Sequence, residues 1–93
     1  MSAQERLLND TISHGFAVID PHPTQPDIAL VFLDDTTLVF ASLTTPTHAN
    51  GVALRRQAIE WLVNPDHEVS HDAIRFDHAQ VDDHDVTMYP SAY

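Results

Sequence analysis

The chain has no cysteine and no lysine. Without cysteine, neither a disulfide nor a thiolate metal site can contribute to stability, and the redox compartment is left open. Without lysine, phosphate contacts fall to four arginines, set against fourteen acids for a formal net charge of −10. Proteins that grip nucleic acid neutralise phosphates with Lys and Arg, so this chain is expected to repel a polyanion. Arg55-Arg56 is the only basic pair, and Arg75 stands among Asp72, Asp77, Asp82, Asp83 and Asp85, which makes no phosphate-tracking stripe. Surface composition alone, including adaptation to salt, produces the same balance. Long apolar runs are also missing. No segment approaches the roughly 20 residues of a membrane span, and Gln4, Glu5 and Arg6 stand where a signal peptide is basic and then apolar. The expectation is a cytoplasmic protein with no membrane contact. At 93 residues and 43% hydrophobic content, the chain supports one core and a single domain over residues 1–93.

What is present sets out the elements clearly. Ser2-Ala3-Gln4-Glu5 has the form of a capping box, with the Ser2 hydroxyl and the Glu5 carboxylate each serving an exposed N–H. Leu7, Leu8 and Ile12 form an apolar stripe behind it, and Gly15 after His14 is the expected left-handed stop. Phe16-Ala17-Val18-Ile19 reads as a strand, ended by Pro21, Pro23 and Pro26 in a loop. Two apolar runs, Ile28 to Leu33 and Thr37 to Leu43, flank the turn Asp34-Asp35-Thr36; both are too short for helices and read as strands covered on both faces. A loop from Thr44 to Gly51 leads to a helix over Ala53 to Val63. There Leu54, Ala58, Trp61 and Leu62 share a face, Arg55, Arg56 and Glu60 point away, and Pro65 closes the helix. Trp61 is expected in the core. The crossover places a strand at Ile74 to Val81 parallel to Thr37–Leu43, with Val86 to Tyr89 as an edge strand. The fold class is α/β (α+β), in the order α-β-β-β-α-β-β, a mixed sheet flanked by two helices.

At Asp27-Ile28-Ala29-Leu30-Val31, Thr37-Leu38-Val39-Phe40, Ala58-Ile59-Glu60-Trp61-Leu62, Ile74-Arg75-Phe76-Asp77 and Val86-Thr87-Met88-Tyr89, the chain resembles the YraN-like family. Those proteins are predicted endonucleases distantly related to archaeal Holliday junction resolvases. The resemblance implies a small restriction-endonuclease-like domain and covers most of the chain in order. Where the family reads Glu-Ile-Asp-Leu, this chain has Asp27-Ile28-Ala29-Leu30, so the main metal-binding aspartate falls on Ala29. Where the family reads Val-Phe-Val-Glu-Val-Lys, it has Val39-Phe40-Ala41-Ser42-Leu43-Thr44, which places Ser42 at the second carboxylate and Thr44 at the lysine.

The chemistry of such a site is that of charge. A hard divalent ion is held by carboxylate oxygens, and a lysine offsets charge building on the phosphate. A methyl and two hydroxyls supply neither, so the resemblance implies a catalytically degenerate domain that acts as a non-enzymatic protein-binding or regulatory module with no cofactor. Two other functions stay open. Asp27 and Glu5, the residual carboxylates near that place, could serve a metal-dependent nuclease acting on DNA or RNA with Mg or Mn. The acidic surface could instead act as a decoy for a basic nucleic-acid-binding protein. The expected partner is a protein, and Met88, Tyr89, Pro90 and Tyr93 are as suited to docking a second copy as to capping the core.

Histidine, present seven times, is the other source of chemistry. Asp66, His67, Glu68, His71 and Asp72 crowd one loop, and His78, Asp82, Asp83, His84 and Asp85 another. These residue types ligate zinc and similar ions, and His67, His71 and Asp27 are the candidate metal ligands. The spacing is unspecific, since Pro65 argues against the helix that would bring His67 and His71 to one side. Ser42 or Ser70 could be drawn into a Ser/His/Asp relay, but neither sits in a nucleophile motif.

Overall fold

Ser2 caps the first helix, α1 (Ala3–Ser13), in the computed structural model, which describes residues Met1–Tyr93. Its hydroxyl accepts the Glu5 N–H at 3.1 Å and donates to the Glu5 carboxylate at 3.1 Å. Glu5 therefore returns to the cap hydroxyl rather than to a backbone N–H. The helix stops at Gly15, whose φ of +85° is the left-handed conformation that a side chain resists. The buried line of α1 is Leu7 and Thr11, with Leu8 half-buried. Ile12, expected on the stripe, is 56% exposed. With about 100° between successive residues it lies roughly 100° from the Thr11 direction, off the edge of the contact. Thr11 is tolerated in the core because its hydroxyl donates to Leu7 O at 2.8 Å.

Five strands follow the expected order: β1 (Ala17–Asp20), β2 (Leu30–Asp34), β3 (Thr37–Ser42), β4 (Ala73–Val81) and β5 (Val86–Tyr89), with α2 (His48–Leu62) between β3 and β4. They form one sheet in the spatial order β1-β2-β3-β4-β5. The β3–β4 pair is parallel and the others are antiparallel. The parallel pair is the one joined through a helix, as chain geometry requires. Asp34 pairs with Thr37, so it belongs to the strand rather than the turn, which is left to Asp35 and Thr36, Asp35 having φ +55°.

Alternation along β2 and β3 sends side chains to two cores. Val31, Leu38 and Phe40 meet Leu54, Ala58 and Trp61 of α2. Leu30, Phe32, Val39 and Ala41 meet Leu7 of α1. The central strands are covered on both faces, which is why they read as continuous apolar runs. Trp61 is fully buried, edge-on to Phe40 at 5.5 Å between ring centroids, with its indole N–H donated to Asp20 Oδ2 at 2.8 Å.

The second helix begins at His48, five residues before the apolar period does. Thr47 is its N-cap, accepting the Asn50 N–H at 3.1 Å, so the last part of the expected Thr44–Gly51 loop is helical. Pro65 follows the helix and opens a single turn, Pro65–His67, of tighter winding. No helix is long and apolar enough to cross a membrane.

Candidate functional site

The resemblance directs attention to the carboxyl end of β3, where two of its three site positions fall. Ser42 closes β3 and is fully buried. Its hydroxyl shares a hydrogen bond of 2.8 Å with Thr44 Oγ1 and accepts the Thr44 N–H at 3.2 Å. Thr44 Oγ1 in turn lies 3.1 Å from the Tyr93 hydroxyl, which also donates to Thr44 O. Ser42, Thr44 and Tyr93 form a closed chain of hydroxyls. Alternation puts Ser42 and Thr44 on one side of the strand, and the structure joins them.

Tyr93 packs against α2 beside Gly51 at ordinary contact distance. A Cβ on Gly51 would lie 3.7 Å from Tyr93 Cβ and 3.6 Å from its ring, and 3.1 Å from the Arg55 guanidinium. Arg55 Nη2 donates to Tyr93 O at 2.8 Å, and the guanidinium sits 5.0 Å from the centre of the Phe76 ring. Although exposed as a residue, Arg55 does not point away into water as expected: it ties the end of the chain to α2 and covers an aromatic. Replacing Tyr93 with Phe removes both hydroxyl contacts and is expected to cost about 1–2 kcal/mol. Urea titration should show a lower midpoint with unchanged slope, and no change in midpoint would refute the tie.

Ala29 lies elsewhere. It packs with Leu7, Leu30 and Ala41 in the α1-side core, while Tyr93 packs against the α2-side core. Its carbonyl accepts Gln4 Nε2 at 3.1 Å, and its N–H donates to Ala41 O at 2.8 Å. Leu30 is also opposite Ala41, so the chain is locally crowded against one partner residue there, and Ala29 does not turn toward Ser42. Of the three positions indicated by the resemblance, Ser42 and Thr44 come together and Ala29 does not join them. The residual carboxylates are engaged locally. Asp27 accepts Gln57 Nε2 at 2.7 Å and its N–H donates to Gln57 Oε1 at 2.8 Å, clamping the loop to α2. Glu5 remains at the cap of α1.

The two histidines proposed as metal ligands each have a local partner. His67 stacks on Trp61 at 4.2 Å with an interplanar angle of 13°, its Nδ1 2.8 Å from Trp61 O and its Nε2 3.9 Å from Asp20 Oδ2. His71 Nδ1 lies 2.8 Å from Val69 O. His67, His71 and Asp27 therefore have separate partners, and no three His, Asp or Glu side chains come together in a metal-holding group. Asp82 is used by its own turn. The N–H groups of His84 and Asp85 bond to its carboxylate and hold it below the usual carboxylate range.

Compared with protein families and with curated proteins, the chain matches none.

Two features differ from the sequence reading: Asp77 is paired inside the sheet, and His78 lies in β4 and not in the acidic loop with Asp82. Asp77 is buried in β4, taking Arg75 Nε at 2.8 Å on one oxygen and Arg75 Nη2 at 3.0 Å on the other, with Ser91 N–H at 3.0 Å. Arg75 also reaches Asp34 at 3.0 Å. The bond to Asp77 raises the Arg75 pKa above its ordinary value, against the opposing effect of desolvation. A signal existed, because opposite charges at i and i+2 of a strand share a face. The second is His78, register partner of Ser42. Its ring stacks on Tyr89 at 5.8 Å and meets Tyr93 edge-on at 6.3 Å, in a cleft of about 330 Å³ lined by Pro46, His78, Gln80, Tyr89 and Ala92. The Ser42 hydroxyl bonds to Thr44, and His78 Nδ1 is buried without a partner.

Proposed function

We propose that this domain is a non-enzymatic protein-binding or regulatory module built on an endonuclease-like scaffold of the YraN-like type, working in the cytoplasm. The observation that carries the reading is the state of Ser42. At the place where the family resemblance sets a metal-binding carboxylate, a fully buried hydroxyl is consumed by Thr44 and sealed by Tyr93. Hydroxyls held in this way offer no anionic oxygen to a hard cation.

The arginines support the same reading. Arg6 donates to Asp82 O and Asp83 O at 3.1 and 2.8 Å, Arg55 to Tyr93 O, and Arg75 to Asp77 and Asp34. With three of the four cations committed inside a chain of net charge −10, no cationic groove is left to follow a phosphate backbone. The test is a cleavage assay of the purified domain on single- and double-stranded DNA and RNA with magnesium or manganese. The expected result is no cleavage above buffer. Chelator-sensitive cleavage that Asp27→Ala abolishes would overturn the proposal in favour of a residual nuclease.

A further inference from the structure

Helix α2 is apolar on two opposite sides. Its inner side, Leu54, Ala58 and Trp61, is buried against the sheet. On the outer side, Val52 and Ile59, together with Val63 at the C-cap, are 43%, 61% and 73% exposed. With Arg56 they fall at intervals of four, three and four residues, which confines them to one narrow stripe directly opposite the buried face. Four-three-four spacing is the seam of a helix that packs against another helix.

Arg56 is the arginine with no bond inside the chain, the other three being committed as described. Glu60, one turn further along, is exposed on the same flank of the stripe and is also unpaired. This arrangement is complementary to itself. If two α2 helices lie antiparallel across a two-fold axis, each flank stays on its own side of the seam. Arg56 of one copy then falls beside Glu60 of the other, and Val52 beside Val63. A parallel arrangement would set Arg56 against Arg56.

We propose that the outer face of α2 is a self-association surface, on which a second copy of this chain docks antiparallel through Val52, Ile59 and Val63, with two reciprocal Arg56–Glu60 pairs. This names the partner in the protein-binding reading above and rests on that reading. Cleavage and mass are separate readouts, so either proposal can fail alone. A seam along a 15-residue helix, about 22 Å long, belongs among small, reversible interfaces.

The test is sedimentation velocity on the intact chain at concentrations from about 10 μM to 1 mM, the range in which small interfaces fill. Wild type is expected to shift reversibly from monomer to dimer. Ile59→Asp, at an exposed position that leaves the fold intact by circular dichroism, is expected to weaken the dimer at least tenfold, as loss of a central anchor does. Arg56→Glu and Glu60→Arg should each weaken it several-fold, and the double swap R56E/E60R should restore it. A monomer at every concentration, a dimer indifferent to Ile59→Asp, or a double swap that fails to recover would each overturn the proposal.

Discussion

Truncation of Trp61 to alanine is expected to cost about 4 kcal/mol, in the range of large aromatic-to-alanine changes in closed cores. The residue is fully buried between α2 and the sheet, in contact with the ring of Phe40 and under the stacked ring of His67. Alanine would empty that space and leave the Asp20 carboxylate without the indole donor. A domain of this length has a total stability of about 5–14 kcal/mol, so the loss is more than a quarter of it. Trp61→Phe keeps most of the volume and loses chiefly the N–H bond, and should cost about 1–2 kcal/mol. Trp61 is the single tryptophan, so unfolding of both variants is best followed by far-ultraviolet circular dichroism in urea. A Trp61→Ala variant within about 1 kcal/mol of wild type would show that the α2-side core is not the main support of the fold.

The second large effect is expected at Arg75. Asp77 is 1% exposed and takes two guanidinium bonds from Arg75. Removing the arginine strands a carboxylate with only the Ser91 N–H, and breaking a buried pair on one side costs about 3 kcal/mol or more. For a chain of this size that lowers Tm by roughly 12–24 °C. Arg75→Lys should recover only part of the loss, since an ammonium cannot match the forked contact. The double change Arg75→Met with Asp77→Leu should recover most of it, because the desolvation penalty leaves together with the attraction. The raised Arg75 pKa keeps this side of the pair charged. Its contribution is present throughout the ordinary pH range and is lost only as pH climbs through the elevated folded value, far into alkali. A thermal melt in which Arg75→Ala behaves as wild type would show that the buried Asp77 carboxylate does not depend on the guanidinium.

The layout of the fold was legible because its signals are local. Continuous apolar strands, a turn signal at Asp34-Asp35-Thr36 of which only Asp34 proved to belong to the strand, a glycine at a left-handed stop and a helix between two parallel strands each announce themselves within a few residues. The start of α2 was missed because His48, Ala49 and Asn50 carry no apolar period; only Thr47, an N-cap residue type, marked it. Ile12 was misplaced because a stripe drawn from residue type alone treated Thr11 as polar, while its hydroxyl bonds back to Leu7 and lets it enter the core. The site was less legible than the scaffold. Alternation placed Ser42 and Thr44 together correctly, but nothing nearby in sequence indicates that Tyr93 returns to bond them, or that Ala29 packs with the other core. Those are contacts between residues far apart in sequence, made by the Arg55 bond to Tyr93 O in one case and by local crowding opposite Ala41 in the other.

The parallel pairing of β3 with β4 carries a cost in time. β2 and β3 can zip from a two-residue turn, but Thr37 meets Ala73 only after a loop of roughly 35 residues has closed, an entropic toll that must come before its reward. Until then β3 presents an open row of peptide groups beside Val39 and Phe40, the kind of margin along which nascent chains adhere to one another. The late strand is thus more than a fifth of the sheet: its arrival ends the interval in which this chain is most prone to aggregate.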